Sequence, residues 1–337
     1  MNSEFEIGPI SVESGSMVCT EFPVIKKPDG HFLSIPMMIA HGVEDGPVVL
    51  AMGGCHGDEI EGPRAIITIA REIDPNRLKG TFLGIPFVNV PGLVQRASVQ
   101  VCSRRENPID FKDISPVFPG SPEGTITERV SDIICNTLLD VADYCLDLHS
   151  GGGMGGVISL AGFCDEPGDY GKKSFEMAWV FPIEVLWQVP GADCPLRDIA
   201  HKKNVPFFNG EAFDGEVEPY IVGLRNLLKH LSMVEGTMEG IPSKRRCVGP
   251  EVRISCRSAG LVIPHRKLGE SVSRGDLLLT ITDIYGNEVE RIESPINGIV
   301  TGIRRTKESL VWPGDTVAFV AELIKEGRYF PKRGQVV

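Results

Sequence analysis

Apolar and polar segments alternate along the first two thirds of the chain with the lengths expected of strands and helices. The segment "GPVVLAMGG" (residues 46–54) is an apolar run that ends in glycines, which is typical of a buried strand. The segment "PRAIITIAREI" (63–73) has apolar residues at helical spacing behind a proline, and "TFLGIPFVNV" (81–90) is a second apolar run. Because strands alternate with helices, we predict an α/β fold with a mixed, mostly parallel sheet flanked by helices.

The same alternation continues further along the chain. The pattern predicts a helix over about residues 127–140, followed by the strand "YCLDL" (144–148). The segment "LRDIAHKKNVPFFNGEAF" (196–213) predicts another helix and strand. The segment "EPYIVGLRNLLKHLSMVEG" (218–236) predicts an amphipathic helix that ends at Gly236.

From residue 244 onward the pattern changes to short alternating runs separated by turn residues, which predicts a small β-rich unit. Its segments "GESVSRGD" and "SPINGIV" resemble those of the biotinyl/lipoyl-type β-sandwich. The hairpin segment "TDIYGNE" lacks the lysine that a carrier domain would modify, so a shielding role beside a catalytic unit is the better interpretation. We therefore predict two domains, residues 1–243 and residues 244–337.

Charge is unevenly distributed between these two parts. The net charge is −11, yet the part from Lys244 onward is net basic, so the first 243 residues carry the whole acidic excess. An acidic main domain argues against a nucleic acid partner. The basic stretch "SKRR" (243–246) is interpreted as a linker and a solvated face.

Composition indicates an ordinary globular protein, with 42% hydrophobic and 23% charged residues. No apolar run approaches the roughly 20 residues that cross a bilayer, and the first residues do not resemble a secretory leader. We therefore expect a cytoplasmic protein with no membrane partner. The nine cysteines form no C-x-x-C pair, which favours reduced thiols over disulfides or a cysteine-rich zinc site.

The segment "GGCHGDEIEGP" (53–63) places His56 and Glu59 three residues apart in a glycine-rich turn between a strand and a helix. Side chains at this spacing project from one face of a helical turn, so one segment can supply two ligands to a metal ion. A pair of exposed polar residues is the alternative. The position favours the metal, because open α/β sheets bind ligands beyond the carboxyl ends of their strands.

A third ligand is predicted at His149, which ends the strand in "DYCLDLHSGGG", and a hydrogen-bonded core histidine is the alternative. Three protein ligands leave a fourth position for water, as in catalytic zinc sites. Asp147 lies on the same side of the strand and could orient a ligand, or it could be a structural carboxylate. A base must then accept the proton of the water, and Glu211 in "FFNGEAFDG" is the candidate, with Asp214, Glu216 and Glu218 as competitors.

These motifs resemble a known family when they are taken in order. The segments are "GGCHGDEIEGP", "NVPGLVQRA", "RENPIDFKDISPVFPGSPEGT", "DLHSGG" and "GEAFDG". Their order and spacing are similar to those of the succinylglutamate desuccinylase/aspartoacylase family, zinc deacylases with a carboxypeptidase-like α/β fold. The resemblance implies that residues 1–243 are a zinc-dependent deacylase catalytic domain binding one Zn²⁺ per chain.

The resemblance also assigns roles to residues. It implies that the zinc ligands are His56, Glu59 and His149 and that Glu211 is the general base. An arginine, Arg105, or failing that Arg104, would polarise the scissile carbonyl and stabilise the developing oxyanion. The residues expected to bind substrate are Ser115, Arg104 and Asn89.

The chain departs from the family where "DISPVFPG" replaces a segment like "NLNRVFPG", so that Ser115 and Pro116 occupy the usual asparagine and arginine positions. That arginine ordinarily clamps a substrate carboxylate. We prefer the hypothesis that the substrate lacks a free carboxylate at this subsite. The alternative is that another arginine, such as Arg96 or Arg129, restores the clamp.

A second departure is Cys55, next to a predicted ligand, for which a neutral packing role is favoured over a fourth zinc ligand. The apolar segment "FEMAWVFPIEVLWQVPG" (175–191) is interpreted as a buried helix and strand, with an acyl pocket or a subunit contact as alternatives.

The sequence thus predicts a zinc-dependent amide hydrolase acting on a small N-acyl or amide substrate. A carboxypeptidase-like peptidase and a non-catalytic metal-containing binding protein remain alternatives, and a homo-oligomer is compatible with the family.

Overall fold

The computed structural model describes residues 4–94, 105–152, 156–191, 194–304 and 310–327. Within these residues the strands are β1 Glu4–Ile7, β2 Ile10–Glu13, β3 Ser16–Lys26, β4 Phe32–His41, β5 Glu44–Gly53, β6 Lys79–Ile85, β7 Tyr144–Ser150, β8 Leu160–Phe163, β9 Val185–Gln188, β10 Phe207–Ala212, β11 Arg245–Ser255, β12 Gly260–Pro264, β13 Ser271–Val272, β14 Leu277–Thr282, β15 Glu288–Glu293, β16 Gly298–Ile303, β17 Leu310–Val311 and β18 Thr316–Gly327. The helices are α1 Glu61–Glu72, α2 Val90–Val94, α3 Ile126–Ile133, α4 Leu139–Val141, α5 Asp169–Trp179, α6 Pro195–Lys202 and α7 Glu218–His230.

The main sheet is mixed, as predicted, but the prediction that it is mostly parallel is wrong, because six of the eleven strand pairings in the described residues are antiparallel. Its strand order is β13-β16-β18-β11-β9-β8-β10-β7-β5-β6-β4-β3. The run β10-β7-β5-β6 is parallel, and so are β8-β9 and β9-β11. Pairing is antiparallel at β8-β10 and towards both edges. Parallel pairing is therefore concentrated in the centre, and antiparallel strands extend the sheet further than the sequence pattern predicts.

Helices cover both faces of the centre of the sheet, which explains why its strands are apolar on both sides. On β5, Val49 packs with one core cluster and Leu50 with the other, because successive side chains of a strand point to opposite faces. The first cluster includes Ile66 of α1 and Leu224 of α7. The second includes Val130 of α3 and residues of α6. The helix α7 ends at His230, before the predicted Gly236, and Ser232 adopts the left-handed conformation (φ 58°) that follows it.

The C-terminal strands both extend the main sheet and build a second one. Strand β11 pairs in parallel with β9 and antiparallel with β18, whereas β15-β14-β12-β17 form a separate four-stranded sheet. Buried apolar residues such as Leu279 and Val317 pack between these strands. The biotinyl/lipoyl-like identity of this region and the domain division at residue 243 stay predictions. No helix in the described ranges is long and apolar enough to span a membrane.

Candidate active site

The turn between β5 and α1 carries His56 and Glu59 beyond the carboxyl end of the strand. The Glu59 amide donates to the His56 carbonyl (3.3 Å), which closes the turn just before the helix begins. Gly57 is required by a close approach, since a Cβ there would lie 2.2 Å from the carbonyl carbon of Gly92. The tight turn therefore turns both side chains toward the end of the neighbouring strand β7, where His149 lies.

Glu59 lies between the two histidines and contacts both. Its Oε1 is 2.6 Å from Nδ1 of His56, and its Oε2 is 2.9 Å from Nδ1 of His149. One ligand atom from each of the three residues lies within 4.8 Å of the others, and all three residues are buried. The three predicted metal ligands are therefore brought together, close enough for one nitrogen or oxygen atom of each to contact the same ion.

The electrostatics of this cluster fit a cation. Burial opposes the ionisation of Glu59, but the imidazoles of His56 and His149 outweigh it and hold the pKa of Glu59 well below its usual range. Burial likewise opposes protonation of His149, yet Asp147 and Glu59 raise its pKa well above normal. Two nitrogen donors and an ionised carboxylate are the ligand types that divalent zinc takes in proteins, so the residues present fit such an ion.

Asp147 supports His149 from the other side of the imidazole ring. Its Oδ2 lies 3.0 Å from Nε2 of His149, so Nδ1 is left facing the cluster. The hydroxyl of Tyr220 donates to the backbone carbonyl of His149 (2.6 Å) and fixes the end of the strand. Carboxylate–histidine contacts of this kind orient metal ligands.

The thiol of Cys55 is held in the same network. Its Sγ donates to Oδ1 of Asp147 (3.4 Å), and burial followed by the charge of Asp147 raises the pKa of the thiol well above normal. Cys55, Asp147 and His149 also form a second group of possible metal ligands. A neutral thiol donating to Asp147 agrees with the packing role favoured from the sequence.

Glu211 stands beside His149 because β10 and β7 are paired in parallel with these two residues opposite each other. Directly opposite residues on neighbouring strands point to the same face of the sheet. Burial, followed by the nearby carboxylates of Glu59 and Glu251, raises the pKa of Glu211 to about 8, although His149 opposes the shift. Of the four acidic candidates in this segment, Glu211 alone among the described residues lines the cavity that opens over these side chains.

Asp113 was missed by sequence reasoning, although it joins two predicted site residues. Its Oδ2 accepts from Nε of Arg105 (2.5 Å), and its Oδ1 lies 3.4 Å from Nε2 of His56. Ser115 lies at the same imidazole edge, with Oγ 3.3 Å from Nε2 of His56. Burial opposes ionisation of Asp113, but His56 and Arg105 hold its pKa well below normal. Its position in "FKDIS" carried no spacing signal that could have revealed this.

A cavity of about 500 Å³ opens over the cluster. Among the predicted site residues that line it are Arg105, Ser115, Asp147 and Glu211, and the three predicted ligands line it as well. Strands from the C-terminal region close one side, with Glu251 of β11 and Phe319 of β18.

Other predicted residues lie elsewhere. Asn89 does not line this cavity in the described part of the chain, and its Oδ1 accepts from the Gly92 amide (3.1 Å) at the start of α2. Arg129 donates to the Gly124 carbonyl (2.8 Å). Arg96 and Arg104 lie outside the described residues.

Two histidines and a glutamate converge at the carboxyl ends of the central strands of the mixed sheet, beside a second glutamate, which defines an α/β protein with a candidate metal site. Residues 45–191 match the family model of the succinylglutamate desuccinylase/aspartoacylase catalytic domain. This match, over less than half of the chain, confirms for that segment the resemblance predicted from the motifs.

One curated protein and two solved structures are similar to this chain. The chain is 26% identical over 296 residues, 83% of its length and 84% of the relative, to an N-alpha-acetyl-L-2,4-diaminobutyric acid deacetylase of Halomonas elongata. Its fold is similar to the product-bound ectoine utilization protein EutE (DoeB) of Ruegeria pomeroyi, with TM-score 0.80, 24% identity and coverage of 96% of this chain and 99% of that one. A succinylglutamate desuccinylase/aspartoacylase of Rhodobacter sphaeroides gives TM-score 0.77 and 24% identity over 91% and 95% of the two chains.

Proposed function

We propose that this chain is a zinc-dependent deacylase that hydrolyses the amide bond of a small N-acyl compound. The observation that carries the proposal is the convergence of His56, Glu59 and His149 within 4.8 Å, directly beside Glu211. The relative from Halomonas elongata is named for the removal of an acetyl group from an amino acid nitrogen, which supports an N-acyl substrate.

The residues of the cluster and Glu211 each have a chemical role in this proposal. His56, Glu59 and His149 would hold the ion, and zinc in such a site supplies Lewis acidity that lowers the pKa of water and polarises a carbonyl group. Glu211 accepts the proton of the attacking water and delivers it to the departing nitrogen. A raised pKa suits Glu211 to both steps, since the group must bind a proton and then release it near neutral pH.

Arg105 contributes a fixed positive charge near the position where the carbonyl oxygen becomes negative, a contribution typically worth a few kcal/mol. Its ion pair with Asp113 limits the directions in which the guanidinium can point. Asp113 thus positions Arg105 without touching the substrate.

In this proposal the substrate has no carboxylate that the loop of Ser115 and Pro116 would bind. The Ser115 hydroxyl lies against His56, and Pro116 has no group that could neutralise an anion. Arg129 makes a contact to Gly124 instead of restoring the clamp. These contacts support a substrate whose amine part is neutral at this position, such as an N-acyl amine or an N-acyl amino acid amide.

The experiment measures amine release by the zinc-loaded protein from N-acetyl amino acids and from their carboxamides. We expect cleavage of the carboxamides in preference to the free acids. The Glu211→Gln variant should lose at least 100-fold in kcat while its zinc content, measured by mass spectrometry of the metal, is unchanged. Glu216→Gln is the matched control, because Glu216 lies on the same segment and contacts Ser159 (3.4 Å) outside the cluster.

Inactivity of the zinc-loaded protein on every amide would refute the proposal. Retained activity of Glu211→Gln would remove Glu211 from the mechanism and leave the rest of the proposal standing.

A further inference from the structure

One wall of the cavity is built by C-terminal strands and carries two opposite charges. Glu251 and Arg253 of β11 both line the cavity, where Glu251 is partly buried and Arg253 is exposed. The pairing of β11 with β18 is regular from Glu251 to Ile254, so side chains two residues apart there point to the same face of the sheet. A carboxylate and a guanidinium are therefore accessible on one side of this strand.

That face of β11 and β18 is directed into the cavity. Arg253 is paired with Phe319, and its guanidinium lies over the Phe319 ring, 5.7 Å from the ring centre. Phe319 itself lines the cavity. Ala321, on the same face of β18, packs in one apolar cluster with Trp187, which also lines the cavity. The strand face that carries the two charges is thus continuous with the rest of the cavity wall.

Glu251 is close enough to the candidate base to affect its ionisation. The charge of Glu251 is among the causes that raise the pKa of Glu211. Burial raises the pKa of Glu251 itself to about 7, although the Thr301 side chain and the charge of Arg253 oppose the rise. The cations of the described residues therefore do not offset the burial of this carboxyl group, and an ammonium group beside it would do so.

The two charges on β11 do not neutralise each other directly. Among the described residues no salt bridge joins Glu251 to Arg253, which lies over Phe319 instead. Arg304, at the same wall, donates to the Thr316 carbonyl (2.7 Å). A guanidinium that is exposed to the cavity and held on a strand can bind a carboxylate of a ligand through two parallel hydrogen bonds.

The spacing of the two side chains fits a ligand that carries both charges on one carbon atom. Residues two apart on a strand are separated by about 7 Å. An ammonium and a carboxylate group on the same carbon can lie between a carboxylate and a guanidinium at this separation, each group next to its opposite charge. A ligand with one charge would leave either Glu251 or Arg253 without a partner.

We propose that Glu251 and Arg253 form a subsite for the free α-amino acid head group of a substrate that is acylated on its side-chain nitrogen. The ammonium of the substrate donates to Glu251, and Arg253 donates to the carboxylate. The proposal rests on the deacylase function and names its substrate class, diamino acids acylated on the side-chain nitrogen. It agrees with the uncharged loop of Ser115 and Pro116, because side-chain carbons separate this head group from the scissile amide.

The first test uses four acetamides with the same five-carbon chain. Nε-acetyllysine carries both charges, N-acetylcadaverine the ammonium alone, 6-acetamidohexanoate the carboxylate alone, and N-pentylacetamide neither. The set is repeated with the chain one carbon shorter, beginning with Nδ-acetylornithine, so that chain length does not decide the result. We expect the compound with both charges to have the highest kcat/KM of its set, on the order of 10-fold above the alkylacetamide.

Variants assign each charge of the substrate to one residue. Glu251→Gln should lower kcat/KM on the order of 10-fold for the two compounds with an ammonium and leave the other two within about twofold. Arg253→Met should do the same for the two compounds with a carboxylate. Glu322→Gln and Arg291→Met are the matched controls, because both residues are exposed and neither lines the cavity in the described part of the chain.

The second test does not depend on hydrolysis. Isothermal titration calorimetry measures the binding of the same compounds to the zinc-loaded Glu211→Gln protein, in which we expect turnover to be lost. The Kd of the compound with both charges should be on the order of 10-fold lower than that of the alkylacetamide. Such binding without hydrolysis by the wild type would refute the deacylase function and leave the subsite standing, so the two failures are distinguishable.

Three results would overturn the subsite. One is equal kcat/KM and equal Kd for the charged compounds and the alkylacetamide in both sets. Another is an equal loss on all four compounds in Glu251→Gln, which would mean that Glu251 acts only through Glu211. The third is a preference for the doubly charged compound that persists in both variants, which would assign recognition of the head group to another part of the cavity, the metal included.

Discussion

The Nε2 atom of His149 lies 3.0 Å from Oδ2 of Asp147, on the ring edge opposite Glu59. This contact fixes which nitrogen of the imidazole faces the cluster. Asp147→Asn should therefore weaken zinc binding 10- to 100-fold, the usual effect of removing such a partner. Competition with a chromophoric chelator measures the affinity. A zinc affinity unchanged within twofold would show that Asp147 is only a structural carboxylate.

Cys55 provides the comparison for that variant, because its thiol also contacts Asp147. We expect Cys55→Ala to change zinc affinity by less than about threefold, since a thiol with a raised pKa is a poor ligand. A loss as large as that of Asp147→Asn would instead assign Cys55 to the coordination sphere. X-ray absorption spectroscopy of the zinc-loaded wild type would then show a sulfur ligand at about 2.3 Å.

Asp113 holds Arg105 and lies at the edge of His56. We expect Asp113→Asn to lower kcat about 10-fold or more while KM changes little. A misplaced guanidinium would stabilise the transition state less than in the wild type, whereas binding of the substrate would be little affected. Arg105→Ala should be at least as damaging, and the double variant should add little to it. Additive losses in steady-state kinetics would show that the two residues act separately.

Glu128 ties the loop of Asp113 to the start of α3. Its carboxylate accepts from Lys112 (2.8 Å) and from the Thr125 amide (2.7 Å), and the Lys112 contact followed by that amide lowers its pKa to about 2. Because the pKa of Glu128 is lower in the folded protein than its unfolded value of 4.5, the ionised carboxylate stabilises the fold at pH values above 4.5. This stabilisation is lost as the pH falls from about 4.5 to about 2.

Glu128→Gln should therefore unfold at lower urea concentration than wild type at pH 6 to 7. The difference should shrink below pH 4.5 and disappear near pH 2. A pH-independent difference would mean that the carboxylate charge contributes nothing. Glu123→Gln, at an exposed position before the same helix, serves as the control.

Gly57 sets the turn that carries His56 and Glu59. A Cβ there would meet the backbone of Gly92 at 2.2 Å, so the turn or α2 must move. We expect Gly57→Ala to destabilise the protein by about 2 kcal/mol or more and to weaken zinc binding. Urea denaturation and zinc titration measure the two effects. Gly249→Ala is the control, because its backbone is not in the left-handed region and a Cβ there would come no closer than 3.5 Å to Ile324.

The sequence by itself determined the parts of this protein that depend on local periodicity and on order along the chain. The apolar runs predicted β5, α1, β6, β7 and α7. The His56–Glu59 spacing and the end of the strand at His149 predicted a site that the fold brings together, because both lie at carboxyl ends of parallel strands.

Tertiary structure alone decided which residues meet from distant segments. Asp113 reaches both Arg105 and His56 through the path of an irregular loop, which no periodicity describes. The position of Glu211 beside His149 likewise depends on the pairing of β10 with β7. Strand order is set by packing between non-local segments, and a single sequence carries no signal of its own for that order. The convergence of His56, Glu59 and His149 was therefore predictable from their spacing, whereas the contacts of Asp113 depended on the folded structure.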